Sequence, residues 1–77
     1  MMDYILITLK TPNLVDLDLK IPSYITGSEF LNILTKITGA CISPDSKIQA
    51  EPLGRILDNG QTLYAEGVGH GALLTIL

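Results

Sequence analysis

The segment TGSEFLNILTKITG, from Thr26 to Gly39, is the stretch of sequence that decides the fold. Thr26 and Glu29 form a T-x-x-E capping box, which is typical of a helix start because the two side chains satisfy backbone N–H groups of the first turn. Gly39 predicts a left-handed C-terminal cap. The apolar residues between these ends recur at helical spacing on one face: Phe30, Ile33, Leu34 and Ile37. We therefore predict one amphipathic helix that buries this face.

Five other segments are predicted to be β-strands, and segment 15–21 shows the strictest alternation of apolar and polar residues. Before the helix, segments 4–10 and 15–21 are joined by a short Pro/Asn turn, which predicts an antiparallel hairpin. After it, segments 47–51, 55–57 and 72–77 predict three more strands, and Thr62 is expected to cap a single helical turn. One helix lying across one face of a mixed sheet is the compact way to bury these faces. The sequence predicts a single α+β domain over residues 1–77.

Composition and charge exclude several classes of protein. The formal net charge is −3, and the five basic residues are scattered, so the clustered positive surface that nucleic acid requires is not expected. No apolar run approaches the roughly 20 residues of a membrane-spanning helix, and the start lacks the features of a signal peptide. The single cysteine cannot form an internal disulfide. We expect a cytoplasmic protein that neither inserts into a membrane nor binds nucleic acid.

The segment LGRILDNGQTLYAEGVGHGALLTIL, at 53–77, resembles the corresponding part of ubiquitin and its relatives. The matching positions are Gly54, Arg55, Leu57, Asp58, Gly60, Thr62, Leu63, Val68 and Leu74. The order of elements is also similar, so the resemblance covers essentially the whole chain. It implies the ubiquitin-like β-grasp fold, with one main helix on a mixed sheet of strand order 2-1-5-3-4 and the first and last strands parallel in the middle.

Two differences from ubiquitin bear on function. Ubiquitin and the sulfur carriers that resemble it continue into a flexible tail ending in Gly-Gly, whereas this sequence ends at Leu77. Glu51 occupies the position of the centre of ubiquitin's receptor-binding apolar patch. We therefore expect neither conjugation nor recognition by ubiquitin receptors. A modifier or sulfur carrier is the alternative if the native protein extends to a Gly-Gly end.

Among ubiquitin-like proteins without that tail, the chain resembles the YukD and EsaB group of type VII secretion accessory proteins. The resemblance is carried by the length, the absent Gly-Gly and the opening DYILITLK. It implies a cytoplasmic accessory or regulatory component of a bacterial secretion system that works by protein contact and is not an enzyme. A ubiquitin-like domain of a larger protein of that apparatus is a further alternative, although Met1 and the lack of linkers favour a complete small protein.

Three features resemble chemical sites but have simpler interpretations. His70 stands among glycines at 67, 69 and 71, yet a strand follows where a phosphate loop requires a helix, so we expect a turn and a solvated His70. Cys41 is expected to be a small, partly buried thiol near the helix end. Asp16 and Asp18 share a strand face with Lys20 and are expected to form a solvated hairpin surface. We predict no catalytic residues, cofactors or metal ligands.

Strand parity predicts a surface for a protein partner. If Ile5 and Ile7 face the helix, Leu6 faces the other side of the sheet, because successive side chains of a strand alternate. The same alternation on the parallel neighbour turns two further leucines outward. The predicted partner-binding surface, here called the open-face strip, consists of Tyr4, Leu6, Leu73 and Leu77. A contiguous apolar strip is typical of a docking surface.

Overall fold

A computed structural model describes residues 4–11, 14–39, 42–43 and 45–77. The elements follow the predicted order, and their bounds are β1 Tyr4–Thr11, β2 Leu14–Pro22, α1 Gly27–Thr38, β3 Ile48–Glu51, β4 Arg55–Ile56 and β5 Ala72–Ile76. Cys41 lies outside the described residues, so the expectation for its thiol stays a prediction.

The five strands form one mixed sheet in the order β2-β1-β5-β3-β4. β1 pairs antiparallel with β2 and parallel with β5, while β3 pairs antiparallel with both β5 and β4. The predicted strand order and the central parallel pair are confirmed. Because side chains alternate along each strand, the helix side of the sheet takes up one set of apolar residues and the opposite side carries the other.

Both ends of α1 have the predicted caps. The Glu29 backbone N–H donates to Thr26 Oγ1 (3.1 Å), and the Thr26 backbone N–H donates to Glu29 Oε1 (2.9 Å), which completes the capping box. At the other end Gly39 adopts φ 71°, and its N–H donates to the Thr35 carbonyl (3.0 Å). A residue with a Cβ pays a steric cost in this left-handed conformation, which explains the glycine.

The buried face of α1 differs from the predicted one. Phe30 and Leu34 are fully buried as expected, but Ile33 is only half-buried and Ile37 is 55% exposed. The buried residues of the helix are Gly27, Phe30, Leu31 and Leu34. This face begins at a glycine, which has no apolar side chain to reveal it in a hydrophobic pattern. The buried face is therefore rotated by about 60° around the helix axis from the predicted face.

The start of α1 is anchored to the turn after β4. The N–H of Gly27 donates to the Gln61 carbonyl (3.2 Å), and the N–H of Ser28 donates to the Asn59 carbonyl (3.1 Å). A Cβ placed on Gly27 would lie 2.9 Å from the Asn59 Cα, so only glycine allows this approach. The predicted turn at Thr62 is present, with Thr62 Oγ1 accepting from the N–H of Ala65 (3.0 Å).

The core lies between α1 and the sheet. Its fully buried large side chains come from both layers and from the last connecting segment: Ile7, Leu9, Phe30, Leu31, Leu34, Ile48, Leu63 and Leu74. The inward residues predicted for β3 and β5, which are Ile48, Ala50, Leu74 and Ile76, are all buried. The opposite side of the sheet, here called the open face, carries the residues of alternate parity.

Candidate functional site

The open face exposes large apolar side chains of β1. Tyr4 is half exposed and Leu6 is 55% exposed, whereas Ile5 and Ile7, on either side of Leu6, are buried against the helix layer. This alternation follows from the strand geometry and confirms that Leu6 faces away from α1. Leu73, on the neighbouring β5, is partly buried on the same face.

The register of β1 and β5 divides the open-face strip into two parts. Thr8 pairs with Leu73, so Leu73 is the diagonal neighbour of Leu6. Leu77 lies four residues beyond Leu73, which is about 13 Å along the strand direction, with Thr75 between them. The strip is therefore not contiguous. Its compact part, here called the Leu6 cluster, consists of Tyr4, Leu6 and Leu73, while Leu77, which is also exposed, lies apart from these three.

Charged side chains border the Leu6 cluster on the β2 side. Lys20 pairs with Leu6 across the strands, and its Nζ lies 5.4 Å from the centroid of the Tyr4 ring, within cation–π range. The hydroxyl of Thr8 donates to Asp18 Oδ1 (2.8 Å). A shallow depression of about 330 Å³ opens here, lined in part by Leu6, Asp18 and Lys20. On the other side, exposed Glu51 of β3 pairs with Leu73. The cluster thus combines an exposed apolar centre with Lys20 and two carboxylates, Asp18 and Glu51, at its border.

His70 is more closely attached to the sheet than predicted. Its side chain is exposed, as expected, but Nδ1 accepts a hydrogen bond from the backbone N–H of Leu6 (3.0 Å). The Gly71 N–H donates to the Leu6 carbonyl (2.8 Å), so both backbone groups of Leu6 are bonded to this turn. His70 is therefore an exposed loop side chain, as expected, and in addition it is hydrogen-bonded to β1. His70 fixes the backbone that presents the Leu6 side chain.

The glycine-rich segment around His70 is an ordinary turn, as predicted. Gly67 and Gly71 have φ values of 88° and 80°, which glycine adopts without strain, whereas Gly69 does not use a left-handed conformation. Asp16 and Asp18 are both exposed on the hairpin, in agreement with a solvated surface. Among the described residues, no three His, Cys, Asp or Glu side chains are grouped so that they could hold a metal ion.

A pair of exposed tyrosines was missed in the sequence. The rings of Tyr24 and Tyr64 lie 5.1 Å apart between centroids, with an angle of 35° between their planes. Both residues are exposed, and the Tyr64 backbone N–H donates to the Ser23 carbonyl (2.8 Å), which holds the two segments together. The residues are distant in the chain, so no local pattern indicates this contact.

A network of polar contacts connects β4 to the segment between β4 and β5. Arg55 Nη1 donates to Glu66 Oε1 (3.1 Å), Arg55 Nη2 donates to the Glu66 carbonyl (2.6 Å), and the Asp58 backbone N–H donates to Glu66 Oε1 (2.6 Å). The hydrogen bond from Asp58, followed by that from Arg55, holds the pKa of the Glu66 carboxyl below its ordinary value. These contacts lie at the β4 end, and we assign them a structural role.

Comparison with known proteins gives a match at the level of structure only. No protein-family model and no curated protein sequence matches the chain. One similar structure comes from a study of how molecular mimicry of SUMO promotes DNA repair. It has a TM-score of 0.79 at 17% identity, and the match covers 100% of this chain and 94% of that one. The ubiquitin-like domain of an Arabidopsis thaliana protein has a TM-score of 0.79 at 16% identity, covering 99% and 78% of the two chains.

A third structural relative extends the same pattern. The C-terminal ubiquitin-like domain of mouse tubulin-specific chaperone e has a TM-score of 0.74 at 19% identity, covering 96% of this chain and 84% of that one. The chain therefore has the ubiquitin-like fold, an α+β β-grasp with one helix on a five-stranded mixed sheet. Ubiquitin-like domains are generally non-enzymatic modules that mediate protein interactions. No helix in the described part of the chain is long and apolar enough to span a membrane.

Proposed function

We propose that this chain is a non-conjugating ubiquitin-like protein-interaction module, acting as a cytoplasmic accessory or regulatory component of a bacterial type VII secretion system. The observation that supports contact as its means of action is the Leu6 cluster, in which an exposed leucine is presented on a rigid strand. The secretion-system assignment rests on the sequence resemblance to the YukD and EsaB group.

The geometry favours Leu6 as the centre of partner binding. Its backbone is bonded to the turn at His70 and Gly71, so the side chain is presented without a loop that must be ordered on binding. Preorganised apolar side chains cost less conformational entropy when they are buried by a partner. Polar groups at the border, such as Asp18 and Lys20, supply the charged rim that surrounds many protein interfaces.

The test is capture of purified secretion-system components by immobilised wild-type and variant proteins. Leu6→Glu is expected to reduce capture at least about tenfold, because it places a charge at the centre of a desolvated contact. Ile37→Glu is a matched control, since Ile37 is also 55% exposed but lies on the helix. Equal capture by the Leu6→Glu and Ile37→Glu proteins would count against the open face.

Two further observations separate the proposed role from its alternatives. The intact mass of the native protein tests whether it ends in paired glycines, as a modifier or sulfur carrier requires. Genes for a secretion ATPase and small WXG-type substrates beside the gene for this chain would support the secretion-system role. A native gene that encodes a longer membrane protein would instead favour a domain of the apparatus.

A further inference from the structure

β2 forms one edge of the sheet. In the order β2-β1-β5-β3-β4 it has β1 on one side, and at nine residues it is the longest strand among the described elements. An edge strand presents a row of backbone N–H and C=O groups that can pair with another strand. β2 therefore offers a long backbone template on its outer side.

The side chains of β2 form two sets, and each set has surface that a second strand could contact: apolar surface on the helix side and charged groups on the open face. On the helix side, Leu17 and Leu19 are only partly buried at the margin of the core. On the open face, Asp16, Asp18 and Lys20 are all exposed. A protective edge commonly carries charges that repel a second copy. The order of charges on β2 is instead complementary to itself.

We propose that β2 pairs antiparallel with β2 of a second copy of this chain, about a two-fold axis that passes beside Leu19. In this register Leu19 lies opposite Leu19, and Asp18 lies opposite Lys20. Symmetry repeats the contact, so one pairing creates two cross-strand ion pairs, which are stabilising when opposite charges face each other. The two sheets would then form one continuous sheet with both open faces on the same side.

Neighbouring registers are disfavoured by charge. Moving the axis to Asp18 forms two Asp16–Lys20 pairs but places two carboxylates directly opposite each other, whereas the axis at Leu19 forms two attractive pairs and no repulsive one. Moving it to Leu17 places Asp16 opposite Asp18 twice. Moving it to Lys20 places two ammonium groups together. Like charges directly opposite each other are destabilising, so the charges on β2 select the axis at Leu19. Registers that oppose residues of different parity would put the helix side of one copy beside the open face of the other.

The contacts already made in one copy are compatible with this pairing. Asp18 Oδ1 accepts from the Thr8 hydroxyl (2.8 Å), which orients the carboxylate while leaving it able to accept further bonds. On the helix side, Leu17 would lie opposite Ile21 and Leu19 opposite its symmetry mate, so the partly buried leucines would gain cover. Pro22 would lie opposite Asp16, near the end of the pairing, where its missing N–H costs little.

The test is sedimentation equilibrium up to about 1 mM protein in about 0.15 M salt, where repulsion between the net charges is screened beyond about 8 Å. The wild-type chain is expected to form a dimer. Asp18→Lys and Lys20→Asp are each expected to raise its Kd at least about tenfold, because each replaces two attractive pairs by two repulsive ones. The double variant restores both pairs and is expected to dimerise within about threefold of wild type.

Asp16→Lys is the matched control for the register. Asp16 is exposed on the same strand face, but it lies opposite Pro22 in the proposed pairing, so its charge reversal is expected to leave the Kd within about threefold. Amide NMR spectra check that every variant keeps the fold. A wild-type chain that stays monomeric would overturn the proposal. So would a dimer that ignores the single reversals, is not restored by the double variant, or responds to Asp16→Lys.

A disulfide test depends on position and not on charge. In a Cys41→Ser background, Leu19→Cys places two thiols opposite each other at the axis, where opposed Cα atoms lie within the range of a disulfide. Mild oxidation is expected to give a cross-linked dimer of this variant. Lys36→Cys, exposed on α1, is the control and is expected to remain uncross-linked under the same conditions. Equal cross-linking of the two variants would overturn the proposed axis.

Discussion

Both faces of β1 carry large aliphatic side chains, but these differ in what covers them. Ile7 and Leu9 are 2% and 1% exposed on the helix side, whereas Leu6, between Ile5 and Ile7, is 55% exposed on the open face. Residue type does not distinguish these positions, because leucine and isoleucine are similarly hydrophobic. What distinguishes them is the side of the sheet that each position faces, because alternate residues of a strand point toward α1 or away from it. The comparison teaches that one strand can supply both the core of this domain and its candidate contact surface.

The largest expected effect on stability comes from comparing a leucine-to-alanine substitution in the helix layer with one on the open face. Leu34→Ala removes a fully buried side chain from the helix layer and is expected to lower the free energy of unfolding by about 2–5 kcal/mol, because it leaves a cavity. Leu6→Ala removes the same atoms from the open face and is expected to cost less than about 1 kcal/mol. Urea unfolding of both variants measures the difference. Equal losses would mean that the open face is part of the core.

A smaller effect tests how closely α1 is docked at its start. Gly27→Ala is expected to cost about 1–3 kcal/mol through overpacking, because the new Cβ would lie 2.9 Å from the Asn59 Cα. This cost exceeds the gain of up to about 1 kcal/mol in helix propensity. Gly69→Ala is the control, since no heavy atom lies within 4 Å of its added Cβ. Thermal unfolding should show a lower Tm for the first variant alone, and unchanged melting of Gly27→Ala would contradict the close approach.

The smallest expected effect concerns a polar contact outside both faces. The folded pKa of Glu66 is lowered, so its contribution to stability is present above the ordinary pKa of a glutamate carboxyl and is lost as the pH falls through the lowered folded value. Glu66→Gln cannot ionise, so its free energy of unfolding is expected to fall less steeply than that of wild type below about pH 5. Urea titrations at a series of pH values measure this slope. Parallel curves for the two proteins would contradict a role for the ionised carboxylate.

Most of the fold could be predicted because its signals are local. The capping box at Thr26 and Glu29, the glycine cap at Gly39 and the alternation in β1 each lie within a few residues of one another, and each is confirmed. The predicted buried face of α1 differs from the observed one because the observed face begins at Gly27, which has no side chain that would indicate burial in the sequence. Local chemistry therefore specifies where elements begin and end more reliably than which face of a helix is covered.

The details of the candidate site were harder to predict because they depend on long-range register. The bond between His70 and Leu6 joins residues 64 positions apart, and the pairing of Thr8 with Leu73 separates Leu77 from the other members of the strip. Parity indicates which way these side chains point but not how far along the sheet they lie. The use of the Leu6 cluster by a partner remains a prediction.

The central position of β5 has a consequence for synthesis of the protein. β5 is the last strand to be translated, yet it lies between β1 and β3 and is the strand that joins the two halves of the sheet. Until residues 72–76 have left the ribosome, the N-terminal hairpin and β3 have no strand between them to complete the hydrogen-bonded ladders. The sheet of this domain therefore cannot be completed before β5 has emerged from the ribosome.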